Sequence, residues 1–142
     1  PRKLSTEVLN DECLTTNVLY EAEVFSTEPN HSIDPYVGIA EPEFKTRLNN
    51  HNCEFNNEQY ANATQLSKKI WEIKRRGFDF EVKWRILKQL PGYNPANKKC
   101  LLCIGEKLEI LERNEHLLNK RSELISKCRH KAKFLLNKYD AT

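Results

Sequence analysis

The pattern of apolar and polar residues predicts three short strands. Residues 17–26 alternate with a period of two, which places one set of apolar side chains on a single face of a strand. The residues on that face are Val18, Tyr20, Ala22 and Val24. Residues 35–40 predict a second strand, and the loop before it, rich in Pro, Asn, Ser and Asp, indicates an antiparallel hairpin. Residues 78–86 give the clearest strand, because apolar and charged side chains alternate there without exception.

Four helices are predicted around these strands. The first begins at residues 41–43, since the proline there suits a first turn and the two glutamates suit the positive end of the helix dipole. The second spans residues 63–76, with Thr64 as its N-terminal cap and Gly77 just past its end. A turn-rich loop is predicted at residues 90–96. The last two helices are predicted at residues 99–113 and 117–138.

Apolar stripes indicate which helix faces are buried. Arg47 and His51 lie four residues apart in the first helix and therefore share a face. The expected buried stripes are Phe44, Leu48 and Phe55 in the first helix, Leu66, Ile70 and Ile73 in the second, Leu101, Ile104, Leu108 and Leu111 in the third, and Leu124, Ile125, Cys128, Leu135 and Leu136 in the fourth. The order ββααβαα predicts an α+β domain, in which helices flank a small antiparallel three-stranded sheet.

Length and composition fit one domain with a modest core. The chain has 142 residues, and its 39% hydrophobic content includes 6 Phe, 5 Tyr and 2 Trp, which is more apolar than a disordered chain. No apolar run approaches the roughly 20 residues of a membrane span, and no signal-peptide pattern opens the chain. We divide the domain into an N-terminal extension (1–16), a core (17–120) and a basic C-terminal helix (121–142). Because the chain begins at Pro1 and contains 0 Met, we expect a piece of a larger polypeptide.

The charge is unevenly distributed along the chain. Residues 1–58 carry 4 basic and 11 acidic side chains, whereas residues 59–142 carry 19 basic and 9 acidic ones. A basic second half indicates a polyanionic partner, most often nucleic acid. The alternative, a solvated surface without a partner, stays open on charge alone.

The cysteines indicate a structural zinc site. Their number, 5, is odd, so a fully paired disulfide framework is excluded, and a reducing compartment is favoured. The two close pairs of candidate ligands are Cys100 with Cys103, and Cys128 with His130. Four such ligands suit tetrahedral Zn²⁺, which would hold the C-terminal helix on the core. The alternatives are buried thiols on two packed helices, or a site in which Cys13 replaces one ligand, and Cys53 is expected to be a free thiol.

Six further residues are candidates for catalysis, although each has an ordinary structural explanation when taken alone. They are Tyr20, Tyr36, Arg47, His51, Glu106 and Asn119. A lone tyrosine on a strand is usually a core residue, and a lone glutamate on a helix is usually exposed. The planar fork of arginine matches a phosphate group, and histidine transfers protons near neutral pH.

The order of these six residues resembles that of the GIY-YIG nuclease domain. That family has a tyrosine on each strand of a hairpin, then a helix with arginine and often histidine, a third strand, and a helix with a metal-binding glutamate. An asparagine commonly follows. The resemblance covers residues 17–120. It departs from the family pattern at Val18-Leu19-Tyr20, which lacks the glycine, and at Tyr36-Val37-Gly38, where valine replaces isoleucine.

The C-terminal sequences around Cys100 and Cys128 resemble the endonuclease domain of Penelope-like retroelements. In that group a GIY-YIG nuclease follows a reverse transcriptase and is accompanied by a zinc-binding cluster. The resemblance implies a covalently linked reverse transcriptase in the full-length protein, DNA as the partner and a nuclear location. DNA contacts are expected from the basic C-terminal residues Lys120, Arg121, Lys127, Arg129, Lys131 and Lys133.

By resemblance, the six candidate residues would hydrolyse phosphodiester bonds in DNA. Glu106 would hold Mg²⁺ or Mn²⁺, for which carboxylate oxygen is a preferred ligand. Tyr20 or Tyr36 would position and deprotonate the attacking water, which requires either a depressed tyrosine pKa or a hydrogen-bond relay. Arg47 would stabilise the phosphorane-like charge, and His51 would assist proton transfer or bind phosphate. Asn119 would orient a neighbouring group or the substrate.

Two other classes of function compete with the nuclease. One is a non-catalytic, zinc-stabilised DNA-binding module that keeps the nuclease fold. The other is a protein-interaction domain with incidental charge, which explains neither the Cys-x-x-Cys motif nor the order of the candidate residues. The sequence favours the nuclease, because a catalytically dead copy is expected to have lost at least one of the six.

Overall fold

Five strands and three α-helices make up the described part of the chain. The computed structural model describes residues 13–29, 32–113 and 116–119. The elements are β1 (Val18–Ser26), β2 (Tyr36–Ala40), α1 (Phe44–Asn56), a 3₁₀ turn (Glu58–Tyr60), α2 (Gln65–Arg75), β3 (Phe80–Gln89), β4 (Tyr93–Asn94), β5 (Lys99–Cys100) and α3 (Leu101–Arg113). The α+β class is confirmed.

The main sheet has three antiparallel strands in the order β2-β1-β3, as the alternation predicted. In the central strand, Tyr20 pairs with Gly38 of β2, and Ala22 pairs with Trp84 of β3. The β1–β3 register shifts between Leu19 and Tyr20. Because β2 lies at the edge of the sheet, its outer backbone groups need partners from elsewhere in the chain.

Helices α1 and α2 cover one face of this sheet, and the main core lies between them. The predicted stripes of both helices are buried. Thr64 caps α2, since its Oγ1 accepts a hydrogen bond from the N–H of Ser67 at 3.0 Å. Gly77 follows α2 with a φ of +83°, a left-handed conformation that glycine adopts without steric cost. Helix α1 begins differently, because its first N–H groups donate to the carbonyls of Thr15 and Cys13 in the N-terminal extension.

Helix α3 covers the opposite face, and there the sequence analysis chose the wrong stripe. The predicted stripe is exposed: Leu101 by 46%, Ile104 by 40%, Leu108 by 55% and Leu111 by 59%. The buried residues are Leu102, Cys103 and Ile110. Both stripes are apolar and helically spaced, so periodicity alone cannot show which one faces the sheet. Because α3 covers this second face of the sheet, Leu19 of β1 is buried as well.

The segment around α3 differs from the prediction at both ends. The loop expected at residues 90–96 contributes β4, which pairs with β5 in a second, two-stranded sheet. Helix α3 therefore begins at Leu101, two residues later than predicted. Residues 117–119 form bends rather than the start of a helix. The rest of the predicted fourth helix, including its zinc-held extension, lies outside the described residues.

No helix within the described ranges combines the length and the apolar character that crossing a membrane requires.

Candidate active site

Three of the predicted site residues meet where α1 crosses β1. The hydroxyl of Tyr20 lies 2.7 Å from Nε2 of His51. The Nε–H of Arg47 donates a hydrogen bond to the same hydroxyl at 3.2 Å. Arg47 and His51 share a helix face, as their spacing predicted, and that face is directed at the sheet. Residues that are about 30 positions apart in the sequence therefore form one hydrogen-bonded group.

The glycine of Tyr36-Val37-Gly38 makes room for this group. Gly38 pairs with Tyr20 across the hairpin, so a side chain at position 38 would lie on the same face as the tyrosine ring. A Cβ placed there would clash with the hydroxyl and with Cζ of Tyr20. The phenol ring therefore lies across bare backbone, which is a physical reason for glycine at this point of the motif.

His51 is enclosed by aromatic rings and has no solvent exposure. Its ring stacks on Trp84 at 5.3 Å and on Phe55 at 5.9 Å between centroids, and it meets the edge of Tyr36 at 6.2 Å. Burial, helped by the positive charge of Arg47, lowers the pKa of His51 to about 3. The imidazole is therefore neutral at physiological pH and contacts Tyr20 rather than solvent.

Tyr20 is also fully buried, and burial raises its pKa to about 12. Arg47 opposes this shift, whereas the carboxylates of Glu106 and Glu54 add to it. The sequence analysis required a depressed pKa or a relay for a catalytic tyrosine. The pKa of Tyr20 instead moves the other way, because the loss of water outweighs the effect of the neighbouring guanidinium. Tyr20 therefore keeps its proton at neutral pH.

Arg47 is the partly exposed member of the hydrogen-bonded group. Its side chain is 25% exposed, whereas Tyr20 and His51 have none of their surface open to water. Burial acts to lower the pKa of Arg47, but its interactions with Tyr20, Tyr36 and Glu54 outweigh burial and raise that pKa. The guanidinium is thus a fixed positive charge that reaches solvent at this edge of the sheet. A guanidinium held in this way can bind a phosphate group.

Glu106 approaches the site from α3, on the other side of the sheet. It is half-buried, and its charge is close enough to raise the pKa of Tyr20. Among the described residues, no three His, Cys, Asp or Glu side chains are grouped as a metal cage would need. A single half-buried carboxylate does fit Mg²⁺, which usually keeps several waters and takes one or two protein carboxylates.

Asn119 joins the site through the backbone of β2. Its Oδ1 accepts from the N–H of Val37 at 2.9 Å, and its Nδ2 donates to the carbonyl of Val37 at 2.8 Å. The N–H of Leu118 donates to the carbonyl of Pro35 at 2.8 Å. Residues 118 and 119 thus bind the backbone of Pro35 and Val37 along the outer edge of β2. Of the two predicted roles for Asn119, this geometry fits the orientation of a neighbouring group.

The predicted zinc ligands are only partly described. Cys100 and Cys103 are buried where β5 meets α3, packed with Leu90 and Tyr93. Their predicted partners, Cys128 and His130, lie outside the described residues, as do the DNA contacts Lys120, Arg121, Lys127, Arg129, Lys131 and Lys133. Cys13 packs against the main core instead, apart from the cluster of Cys100 and Cys103, so the structure gives the mixed site no support. Cys53 is exposed.

Sequence analysis missed one ionisable residue of the site. Glu54 lies three residues after His51 and seven after Arg47, so all three share one face of α1. Its carboxylate is 3.9 Å from Arg47 Nη1 and 3.9 Å from His51 Nδ1. That helical spacing was the signal that could have found it. Comparisons with protein-family models, with curated proteins and with solved structures find no match for this chain.

Proposed function

We propose that this protein is a divalent-metal-dependent DNA endonuclease that hydrolyses phosphodiester bonds. The observation that supports the proposal most is the meeting of Tyr20, Arg47 and His51 within hydrogen-bonding distance, with the charge of Glu106 acting on Tyr20. The GIY-YIG resemblance named these same residues from their order alone. A retroelement nuclease with a linked reverse transcriptase, acting on nuclear DNA at an insertion site, is the setting that the resemblance favours.

In the proposed reaction, the oxygen of a water attacks the phosphorus atom, and the bond from phosphorus to the leaving oxygen breaks. Arg47 binds the phosphate, because Tyr20 accepts only from its Nε–H and the Arg47 side chain stays 25% exposed, with Nη1 3.9 Å from Glu54. Tyr36 relays the proton of the water, since it keeps 7% exposure whereas Tyr20 keeps none. Its phenol oxygen accepts that proton as its own hydroxyl proton passes to solvent, and a proton from solvent neutralises the leaving oxygen. Tyr20 and His51 hold Arg47 in place and retain their own protonation states.

Glu106 holds the metal in this proposal. Bound Mg²⁺ or Mn²⁺ would supply positive charge for the scissile phosphate and for the leaving oxygen. Cys100 and Cys103 would supply two ligands of a structural zinc site, with Cys128 and His130 as the other two. The zinc would stabilise the fold and take no part in hydrolysis.

Cleavage of supercoiled plasmid tests the proposal. The protein is incubated with Mg²⁺ and then with Mn²⁺, beside an EDTA control, Glu106→Gln and the matched variant Glu112→Gln on the exposed side of the same helix. We expect nicked or linear plasmid from the wild type and from Glu112→Gln. Glu106→Gln is expected to lose at least about 10²-fold in rate, because it loses the metal ligand.

A second candidate function follows if the plasmid stays intact. A wild type that shifts DNA in a gel at low salt but cuts nothing with either metal is a DNA-binding module. Equal cutting by wild type and Glu106→Gln would contradict the metal site while leaving the nuclease itself in place.

A further inference from the structure

We propose that Glu54 is a positioning residue that, through His51 and Tyr20, fixes the guanidinium of Arg47. Glu54 lies one turn beyond His51 on α1, and its side chain is 14% exposed. Its importance for cleavage rests on the proposed function, since that function is what assigns Arg47 to the phosphate. The hydrogen-bond arrangement itself does not depend on any activity.

The directions of the hydrogen bonds follow from the donors. A guanidinium can only donate, so the oxygen of Tyr20 accepts from Arg47 Nε at 3.2 Å. In the proposed arrangement, the hydroxyl of Tyr20 donates to Nε2 of His51, 2.7 Å away. A neutral imidazole accepts at one nitrogen and carries hydrogen on the other. His51 is therefore the tautomer with its hydrogen on Nδ1.

Glu54 faces that hydrogen. Nδ1 of His51 and Oε2 of Glu54 are both buried, both lack a hydrogen-bond partner in the described part of the chain, and lie 3.9 Å apart. A buried donor or acceptor without a partner is destabilising, so a hydrogen bond between these two atoms would be favourable. A rotation of the Glu54 side chain that moves Oε2 about 1 Å closer to Nδ1 would form this hydrogen bond.

The other carboxylate oxygen of Glu54 returns to Arg47. Oε1 lies 3.9 Å from Nη1 of the guanidinium, so the four side chains form a closed ring. Arg47, His51 and Glu54 lie on one face of α1, and Tyr20 contacts that face from β1. Without Glu54, His51 could carry its hydrogen on Nε2, the Tyr20 proton would lose its acceptor, and Arg47 would be held less firmly.

The test compares Glu54→Gln, whose side-chain oxygen can still accept from Nδ1, with Glu54→Leu, which cannot. Glu58→Gln, in the exposed 3₁₀ turn, is the matched control. The first measurement is the ¹⁵N spectrum of the His51 ring, which distinguishes the two tautomers without any reaction. We expect the Nδ1–H form in the wild type, the control and Glu54→Gln, and loss of that form in Glu54→Leu.

The second measurement is the plasmid nicking rate. Misplacing a catalytic group by about 1 Å can cost about 10²-fold, so we expect a loss of that order for Glu54→Leu and rescue by Glu54→Gln. An Nε2–H tautomer in the wild type, or an unchanged tautomer in Glu54→Leu, would overturn the proposal. If no variant cuts DNA, the proposed nuclease fails, yet the tautomer still decides whether Glu54 positions His51.

Discussion

The two faces of the sheet surround their buried ionisable groups differently: one face buries them among aromatic rings, and the other pairs them with opposite charges. Tyr20 and Glu21 are consecutive on β1 and therefore point to opposite faces. On the face under α1, Tyr20 and His51 are buried among aromatic rings, and both are held neutral. On the face under α3, the carboxylate of Glu21 is paired with two arginines, at 2.6 Å from Arg113 and 3.2 Å from Arg85.

This difference shows what each face contributes to the candidate site. Under α1, the exclusion of water favours the neutral forms of Tyr20 and His51. Under α3, Glu21 is paired with arginines, and salt in the solvent can reach the pair with Arg85 because that side chain is 67% exposed. Glu106 brings a charge from the α3 side to bear on Tyr20, so the site draws on both faces.

The largest expected effect of solution conditions is a loss of stability in acid, which originates on the face of the sheet that α1 covers. The pKa of His51 is lowered from 6.5 to about 3, so folding favours the neutral form. Its contribution is fully present above pH 6.5 and is lost as pH falls towards 3. At 1.36 kcal/mol per pH unit, we expect the free energy of unfolding to fall by about 3 kcal/mol between pH 6.5 and pH 4. Urea titrations at several pH values measure this loss.

His51→Phe is the control for that loss. The variant keeps an aromatic ring between Trp84 and Phe55 but cannot titrate, so its stability should depend less on pH over the same interval. It will be less stable at pH 7, because the hydroxyl of Tyr20 loses its acceptor. Parallel pH curves for the two proteins would show that His51 is not held neutral by the α1 face.

A smaller effect is expected from the charge under α3. Glu21→Gln removes the carboxylate that pairs with Arg113 and Arg85, and we expect a loss of about 1–2 kcal/mol in the free energy of unfolding. Because these pairs are partly solvated, 1 M salt should reduce the difference between wild type and variant. Glu23→Gln, at an exposed position of the same strand, is the matched control. A salt-independent difference would mean that α3 excludes water as completely as α1.

The sequence was sufficient to predict the three strands of the main sheet, but not β4 and β5. In β3, alternate residues are buried from Phe80 to Trp84, as the alternation predicted. The sequence did not show which side of α3 faces the sheet, because the buried residues Leu102 and Ile110 are as apolar as the stripe predicted to be buried. Which stripe is buried depends on contacts with β1 and β2, which are distant in sequence.

The candidate site, too, was only partly predictable from local sequence. The order of residues named Tyr20, Arg47 and His51, and the structure brings them together. The hydrogen bonds between Asn119 and the backbone of Val37 join residues 82 positions apart, and no local pattern encodes such a pair. The high pKa of Tyr20 was also beyond the sequence, since it comes from the packing of rings that close over the hydroxyl.

The smallest expected effect is that of Leu108→Ala on the exposed stripe of α3, and Ile110→Ala on the buried stripe is its reference. Ile110 is 1% exposed and packs against β1 and β2, so Ile110→Ala should cost about 2–5 kcal/mol through lost burial and the cavity left behind. Leu108 is 55% exposed, so Leu108→Ala should change the free energy of unfolding by at most about 0.5 kcal/mol. Both variants remove an aliphatic side chain of the same size from one helix, so urea unfolding compares burial directly. Equal losses would mean that the Leu108 stripe is covered in solution, and that α3 is sandwiched rather than one-sided.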